Sequence, residues 1–289
     1  MLTTAPTAVA ASPSRRFLLL AFTVGWAPWL AGAAGAGAWH HTIANLLLLG
    51  APLVLAASVL LLVRAAGDRA AAREYLRSIV DPGRAGFGLL AAALLAMPAL
   101  AAAAAVLGAW SGGMPLPGGG LLSPALPAAG AAATLKTLGL AIVLGPLLEE
   151  MAWRGYALPR LQERHGALPG ALLAAGAHAA WHLPLFFLPG TAQHELGLLT
   201  PQFWRFLVDI VALGLIAAAF YGTNRRSTLA AILLHAGYNS AGVLLLLSEA
   251  AMWWRTGADL VLALLAVMVI RRRPPGAALH LRRRVEERS

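Results

Sequence analysis

"LGLAIVLGPLLEEMAWRG", residues 138–155, carries an apolar run into two adjacent glutamates and an arginine. A run of about 20 such residues crosses a bilayer as a helix. An ionisable group placed in hydrocarbon costs about 2.5–3.5 kcal/mol on insertion scales, so three together call for partners or a cavity. Helical spacing sorts them. Glu150 and Arg154 are four apart and share a face, so they are expected to form an ion pair, with Arg154 near the headgroups. Glu149 is turned from Glu150 by about 100° and is expected to point into the bundle as a separate carboxylate. Gly145-Pro146 lies one turn earlier, where proline breaks or kinks a helix and opens space beside Glu149.

The rest of the chain has the same character. Of its 289 residues, 59% are hydrophobic and only 12% are charged, against about 25% charged in soluble domains. The fold class read from this is all-α: a polytopic membrane protein of about eight helices, at 16–37, 42–63, 87–110, 131–153, 168–188, 205–223, 228–248 and 251–270. Residues 1–15 are small and polar and are read as a disordered segment. Residues 16–270 form a single transmembrane helical domain, and 271–289 a basic cytoplasmic tail. There is no cysteine, which excludes disulfides, thiolate chemistry and thiolate metal sites.

The net charge is +10, and Lys136 is the only lysine. A charge of this sign can indicate nucleic acid, but the arginines fall between apolar runs, so the partner they indicate is membrane lipid and not nucleic acid. Arg15, Arg16, Arg64, Arg69, Arg73, Arg77, Arg84, Arg160, Arg164, Arg225, Arg226 and Arg271 to Arg273 all fall on one side if the spans number eight. Basic loops stay cytoplasmic, which puts both termini inside. The expected location is a bacterial plasma membrane, crossed several times. Residues 64–86 read as an amphipathic helix lying in the interface and ending at Pro82.

Polar residues inside the spans are few. Besides the first cluster there are His178 and His182 in "AHAAWHLPLFF", His235 and Asn239 in "LLHAGYNS", and Asp209. Each of the two pairs is spaced by four, so each occupies one helix face. A carboxylate, imidazoles and an amide are the groups that activate water and stabilise an oxyanion. Glu149, His178, His182 and His235 also make an alternative zinc set, since two histidines four apart share a face, although "HAAWH" lacks the internal glutamate of His-Glu-x-x-His. Asp209 sits four residues after Arg205 and is expected to form an ion pair at the outer end, without a catalytic part. One geometric tension stands out. His182 lies roughly 21 Å along span five, whereas Glu149 is placed near the cytoplasmic edge.

These motifs resemble the CAAX protease and bacteriocin-processing (Abi) family of intramembrane proteases, which is similar to the Ras-converting CAAX endopeptidase. "EEMAWRG" matches Glu-Glu-x-x-x-Arg, and His235 and Asn239 match His-x-x-x-Asn. His182 matches the histidine of Phe-x-x-x-His, but His178 stands where the family has phenylalanine. The resemblance covers roughly residues 140–245. It implies an endopeptidase acting on membrane-associated or lipid-modified peptide or protein substrates. Glu149 is then the base that activates water, His182 helps to hold the water, and His235 and Asn239 stabilise the oxyanion. Glu150, Arg154 and His178 support them. The family's name often includes "metalloprotease", while the structural view of it favours a metal-free, glutamate-dependent reaction. A bacterial-type chain need not have a prenylated substrate. Two other functions suit the same residues: a non-catalytic immunity or scaffold protein, and a proton-coupled transporter.

Overall fold

The computed structural model describes residues 12–35, 41–112 and 145–272 together with 130, 135 and 139; of residues 41–46 only the backbone is described. The described residues are almost wholly helical and hold no strand. Six helices are long and apolar enough to cross a membrane: 13–34, 47–65, 87–111, 167–187, 201–223 and 249–271. A seventh apolar helix, Thr228–Leu244, has 17 residues. These account for seven of the eight expected spans. Most of the first part of the remaining one, residues 131–144 apart from 135 and 139, lies outside the described residues, as do the N-terminal residues 1–11 and nearly all of the basic tail.

The first span is α1 (Pro13–Phe22) followed by α2 (Ala27–Ala34), broken between them. It starts ahead of the expected residue 16, because Ser12 caps Pro13–Phe22 and Pro13 suits the first turn. Helix α3 (His41–Ala65) is followed by α4 (Arg69–Val80), capped by Asp68, and by α5 (Phe87–Ser111). Helix α4 ends just before Pro82, as its sequence predicts.

The decisive departure from expectation lies in the fourth span. After α6 (Gly145–Ala152) the helix does not stop near residue 153. It widens into a π turn over Trp153–Ala157, closed by the Leu158 N–H donating to the Trp153 carbonyl, and runs on as α7 (Leu158–His165). The widening falls just before Pro159, which has no N–H to donate and whose ring crowds the carbonyl four residues back. Gly166 then reverses the chain at φ +90°, a conformation that favours glycine, and α8 (Ala167–Trp181) climbs back. Glu149 stands 16 residues before His165, and His182 stands 16 residues after Gly166. At about 1.5 Å per residue each is roughly 24 Å from the turn. The hairpin therefore brings the two to one level and removes the mismatch in depth that an early end of span four implied.

Chain continues through a short helix α9 (Ala192–Leu196), then α10 (Pro201–Thr223), α11 (Thr228–Leu244) and α12 (Glu249–Arg271). Helix α8 packs on α7 and α10, while α11 packs on α5, α6 and α10. The core between them is made of alanines and a few large residues, including Phe17, Met97, Trp153, Trp181 and Leu234. Small residues let helix backbones approach closely. The hairpin depends on this at Gly170, where a Cβ would stand 2.5 Å from the backbone nitrogen of Gln162. Replacing Gly170 with alanine should cost about 1–3 kcal/mol of overpacking and shift His182 against Glu149. Unfolding in mixed micelles by detergent titration reads the first effect, and a marginal change in stability would mean that the hairpin is not packed this tightly.

Candidate active site

Glu149 and Glu150 are neighbours in sequence but face different partners. Both are buried, with 7% and 0% of their surface exposed. Glu150 Oε1 accepts a hydrogen bond from Arg154 Nη1 at 2.9 Å and another from His235 Nδ1 at 2.8 Å. Glu149 takes no part in that pair. Its Oε2 lies 2.9 Å from His178 Nε2 and 3.9 Å from His182 Nε2.

Arg154 does not sit near the headgroups, as its place in the sequence suggested; it is only 2% exposed and lies inside the cluster. The helix continues twelve residues past the expected end at 153, so Arg154 is not at a helix end at all. The same Nη1 that holds Glu150 also lies 3.0 Å from His178 Nδ1. Arginine can only donate, so Nδ1 of His178 accepts, and the one ring proton is on Nε2, where it is donated to Glu149. His182 Nδ1 lies 2.9 Å from the His178 carbonyl. A carbonyl can only accept, so Nδ1 carries a proton. In the neutral ring, Nε2 is then left with a lone pair turned toward Glu149. By the same logic His235 donates from Nδ1 to Glu150. The result is one chain of contacts, running His235, Glu150, Arg154, His178, Glu149, His182.

Aromatic rings enclose the histidines. Trp153, in the π turn, stacks on His178 with centroids 5.0 Å apart, and Trp181 and Phe206 meet His182 edge-on at 5.3 and 5.7 Å. Trp29, on α2, packs against Trp181 at 4.4 Å. Asn239 is partly buried and adjoins Glu149. A Cβ on Gly145 would stand 3.7 Å from both Asn239 Nδ2 and Glu149 Oε1, so the two face the same small space. Glycine at 145 keeps that space open.

The structure therefore gathers Glu149, Glu150, Arg154, His178, His182 and His235, with Asn239 beside them. One ligand atom each of Glu149, His178 and His182 lies within 4.8 Å of the others. His235 is not in that group. Asp209 and Arg205 form the expected ion pair, at 3.1 Å, but both are buried. Sequence reasoning missed the buried Arg255 and Asp259, which lie 3.8 Å apart on α12. Arg255 stacks 3.6 Å over the ring of Tyr238 and donates to the Tyr238 carbonyl, next to Asn239. The spacing of four between Arg255 and Asp259 was the available signal.

Comparison with known proteins finds a similarity over this part of the chain. Residues 131–241 match the family model described as Type II CAAX prenyl endopeptidase Rce1-like. All the gathered residues, and Asn239, fall within this segment. CAAX prenyl protease 2 of Methanococcus maripaludis is 29% identical over 125 residues, which are 42% of this chain and 45% of that protein. The match thus spans less than half the length of this curated relative.

Removing one partner of a buried ion pair leaves the other uncompensated, at about 3–5 kcal/mol. Arg154→Met should destabilise the fold by that amount. Glu149→Gln keeps an acceptor for His178 and should unfold close to wild type. Detergent-induced unfolding of both variants checks the contrast, and equal losses would contradict it.

Proposed function

We propose that this chain is an intramembrane endopeptidase that hydrolyses a peptide bond in membrane-associated or lipid-modified protein substrates. The observation that carries the reading is the facing pair of Glu149 Oε2 and His182 Nε2 across 3.9 Å. Two acceptors at this separation can share one water, each within hydrogen-bond reach of about 2.8 Å. That water gives one hydrogen to each acceptor and turns its lone pairs outward, toward a peptide carbonyl. Glu149 takes the proton as the water oxygen attacks the carbonyl carbon. It returns the proton to the leaving amine as the C–N bond breaks. His178 aims the Glu149 carboxylate, and Arg154 fixes the tautomer of His178. Asn239 Nδ2 is the donor for the oxyanion. His235 donates to it only in its doubly protonated state, since its Nδ1 hydrogen is held by Glu150.

A catalytic zinc does not fit this arrangement. His178 directs its Nε2 hydrogen at Glu149 and presents Nδ1 to Arg154, so neither nitrogen has a lone pair for a metal. Glu149 and His182 remain, short of the three protein ligands usual at catalytic zinc. No step of the reaction runs through a metal.

The Methanococcus relative is named a CAAX prenyl protease. On that basis the substrate class we propose is a protein tail that carries a lipid. The eight-span arrangement with both termini on the basic side, in a bacterial plasma membrane, belongs to the same proposal, and the separation of basic from uncharged loops supports it.

Glu149→Gln should lower turnover by about 10²–10⁴-fold, the usual contribution of a general base, while fold and substrate binding persist. Mass spectrometry of cleaved membrane proteins with wild type and variant reads this out, and full activity in the variant would remove Glu149 from the role. Turnover should also survive a strong zinc chelator; its loss, with recovery on adding zinc, would overturn the metal-free reading.

A further inference from the structure

Helix α4 joins the end of α3 to the start of α5. Both of these are long and apolar enough to span, so α4 lies at one membrane face. Its two sides differ. Tyr75, Ser78 and Ile79 are buried against the bundle. Around the helix, at about 100° per residue, the opposite side presents Arg69, Arg73 and Arg77, spaced by four, interleaved with Leu76 and Val80. Leu76 is 50% exposed and Val80 70%, and Phe87, at the start of α5, is 80% exposed. Arg84 is already engaged, by Glu74 at 2.7 Å and the Arg225 carbonyl at 2.9 Å. The side chains of Arg69, Arg73 and Arg77 make no ion pair or hydrogen bond among the described residues. Three unpaired cations beside exposed apolar side chains fit a surface that is anionic at its boundary and oily below it, which is the headgroup layer of a membrane containing anionic phospholipid.

The buried side of α4 reaches the site. The Tyr75 hydroxyl donates to the carbonyl of Met151 at 3.1 Å, one residue after Glu150. The Tyr75 ring lies 3.0 Å from where a Cβ on Gly155 would stand, inside the π turn. Ser78 shares a hydrogen bond of 2.8 Å with Thr228, the first residue of α11, which carries His235. The lipid-facing helix is thus bonded to both helices that hold the Glu150 ion pair.

We propose that α4 is a docking surface for anionic phospholipid, and that its occupancy sets the order of the glutamate-bearing helix through Tyr75 and Met151. The effect on turnover rests on the proteolytic reading above; the effect on order does not. Each arginine near an anionic surface is worth roughly a fivefold gain in attraction, so the triple loss should be decisive. The test reconstitutes the full chain in phosphatidylcholine vesicles with and without phosphatidylglycerol, and compares wild type with Arg69→Gln/Arg73→Gln/Arg77→Gln and with Tyr75→Phe. Hydrogen exchange at 69–80 and 145–157 should slow in wild type when the anionic lipid is present, and turnover should rise severalfold. The triple variant, which keeps the basic tail, should lose all three responses. Tyr75→Phe should keep the slowing at 69–80 but lose it at 145–157, together with the gain in turnover. Exchange at 69–80 that ignores lipid charge, or that responds equally in the triple variant, overturns the docking surface. Exchange at 145–157 that responds equally in Tyr75→Phe overturns the coupling. Absence of turnover in every lipid counts against the proteolytic reading alone, since the exchange measurements still decide this one.

Discussion

The guanidinium of Arg154 is the interaction on which the site depends. One nitrogen holds Glu150 at 2.9 Å and His178 at 3.0 Å. The first contact compensates a carboxylate with no exposure at all. The second decides which nitrogen of His178 carries its proton, and therefore that His178 donates to Glu149. A lysine could supply the charge, but it is a point donor on a flexible stem and does not offer the planar fork that fixes several donor directions at once. Burial makes both contacts matter more, because partial charges act strongly where water is excluded. Gly214 leaves the room for this: a Cβ there would stand 3.4 Å from Arg154 Nη2 and 2.6 Å from the side chain of Ala175.

The backbone places that guanidinium. A straight helix ending near residue 153 would have left Arg154 among the headgroups. Instead the π turn over Trp153–Ala157 and the continuation to His165 bury it. The hairpin at Gly166 then returns α8 to the same height. Trp153 belongs to both arguments, since it lies in the π turn and stacks on His178. The turn that lengthens the span also supplies the ring that supports the histidine.

Much of this was legible beforehand. Composition and apolar runs gave a polytopic helical protein. The spacing of four gave the Glu150–Arg154 and Arg205–Asp209 pairs, and the separation of Glu149 from the first of them. What spacing cannot reveal is depth. Hydropathy stops counting at the charges of "RLQERH", although a helix can run past the apolar boundary when its polar end reaches water. Nor can it reveal the departure at 178. Where the family has phenylalanine, this chain has a histidine bonded to both Arg154 and Glu149. A substitution of an apolar ring by a donor and acceptor reads as a mismatch in one dimension and as a bridge in three. Arg255 escaped for a related reason: placed at the start of a span it looks like an interfacial anchor, and only packing shows it over Tyr238.

Adjacency of the two glutamates has a physical sense in this light. A water-activating carboxylate must not be spent on a cation, yet a buried site gains rigidity from an ion pair. Successive helical positions point about 100° apart, so one turn of helix can carry both needs on separate sides. Glu150 is held by Arg154 and His235. Glu149 meets a histidine that is itself fixed from behind, and keeps an oxygen toward the lone pair of His182. Moving either carboxylate to a position four residues away would stack the two on one face, where a single arginine would engage both and no free base would remain. The doubled glutamate is thus the shortest way for one helix to carry an anchor and, in the reaction we propose, a base.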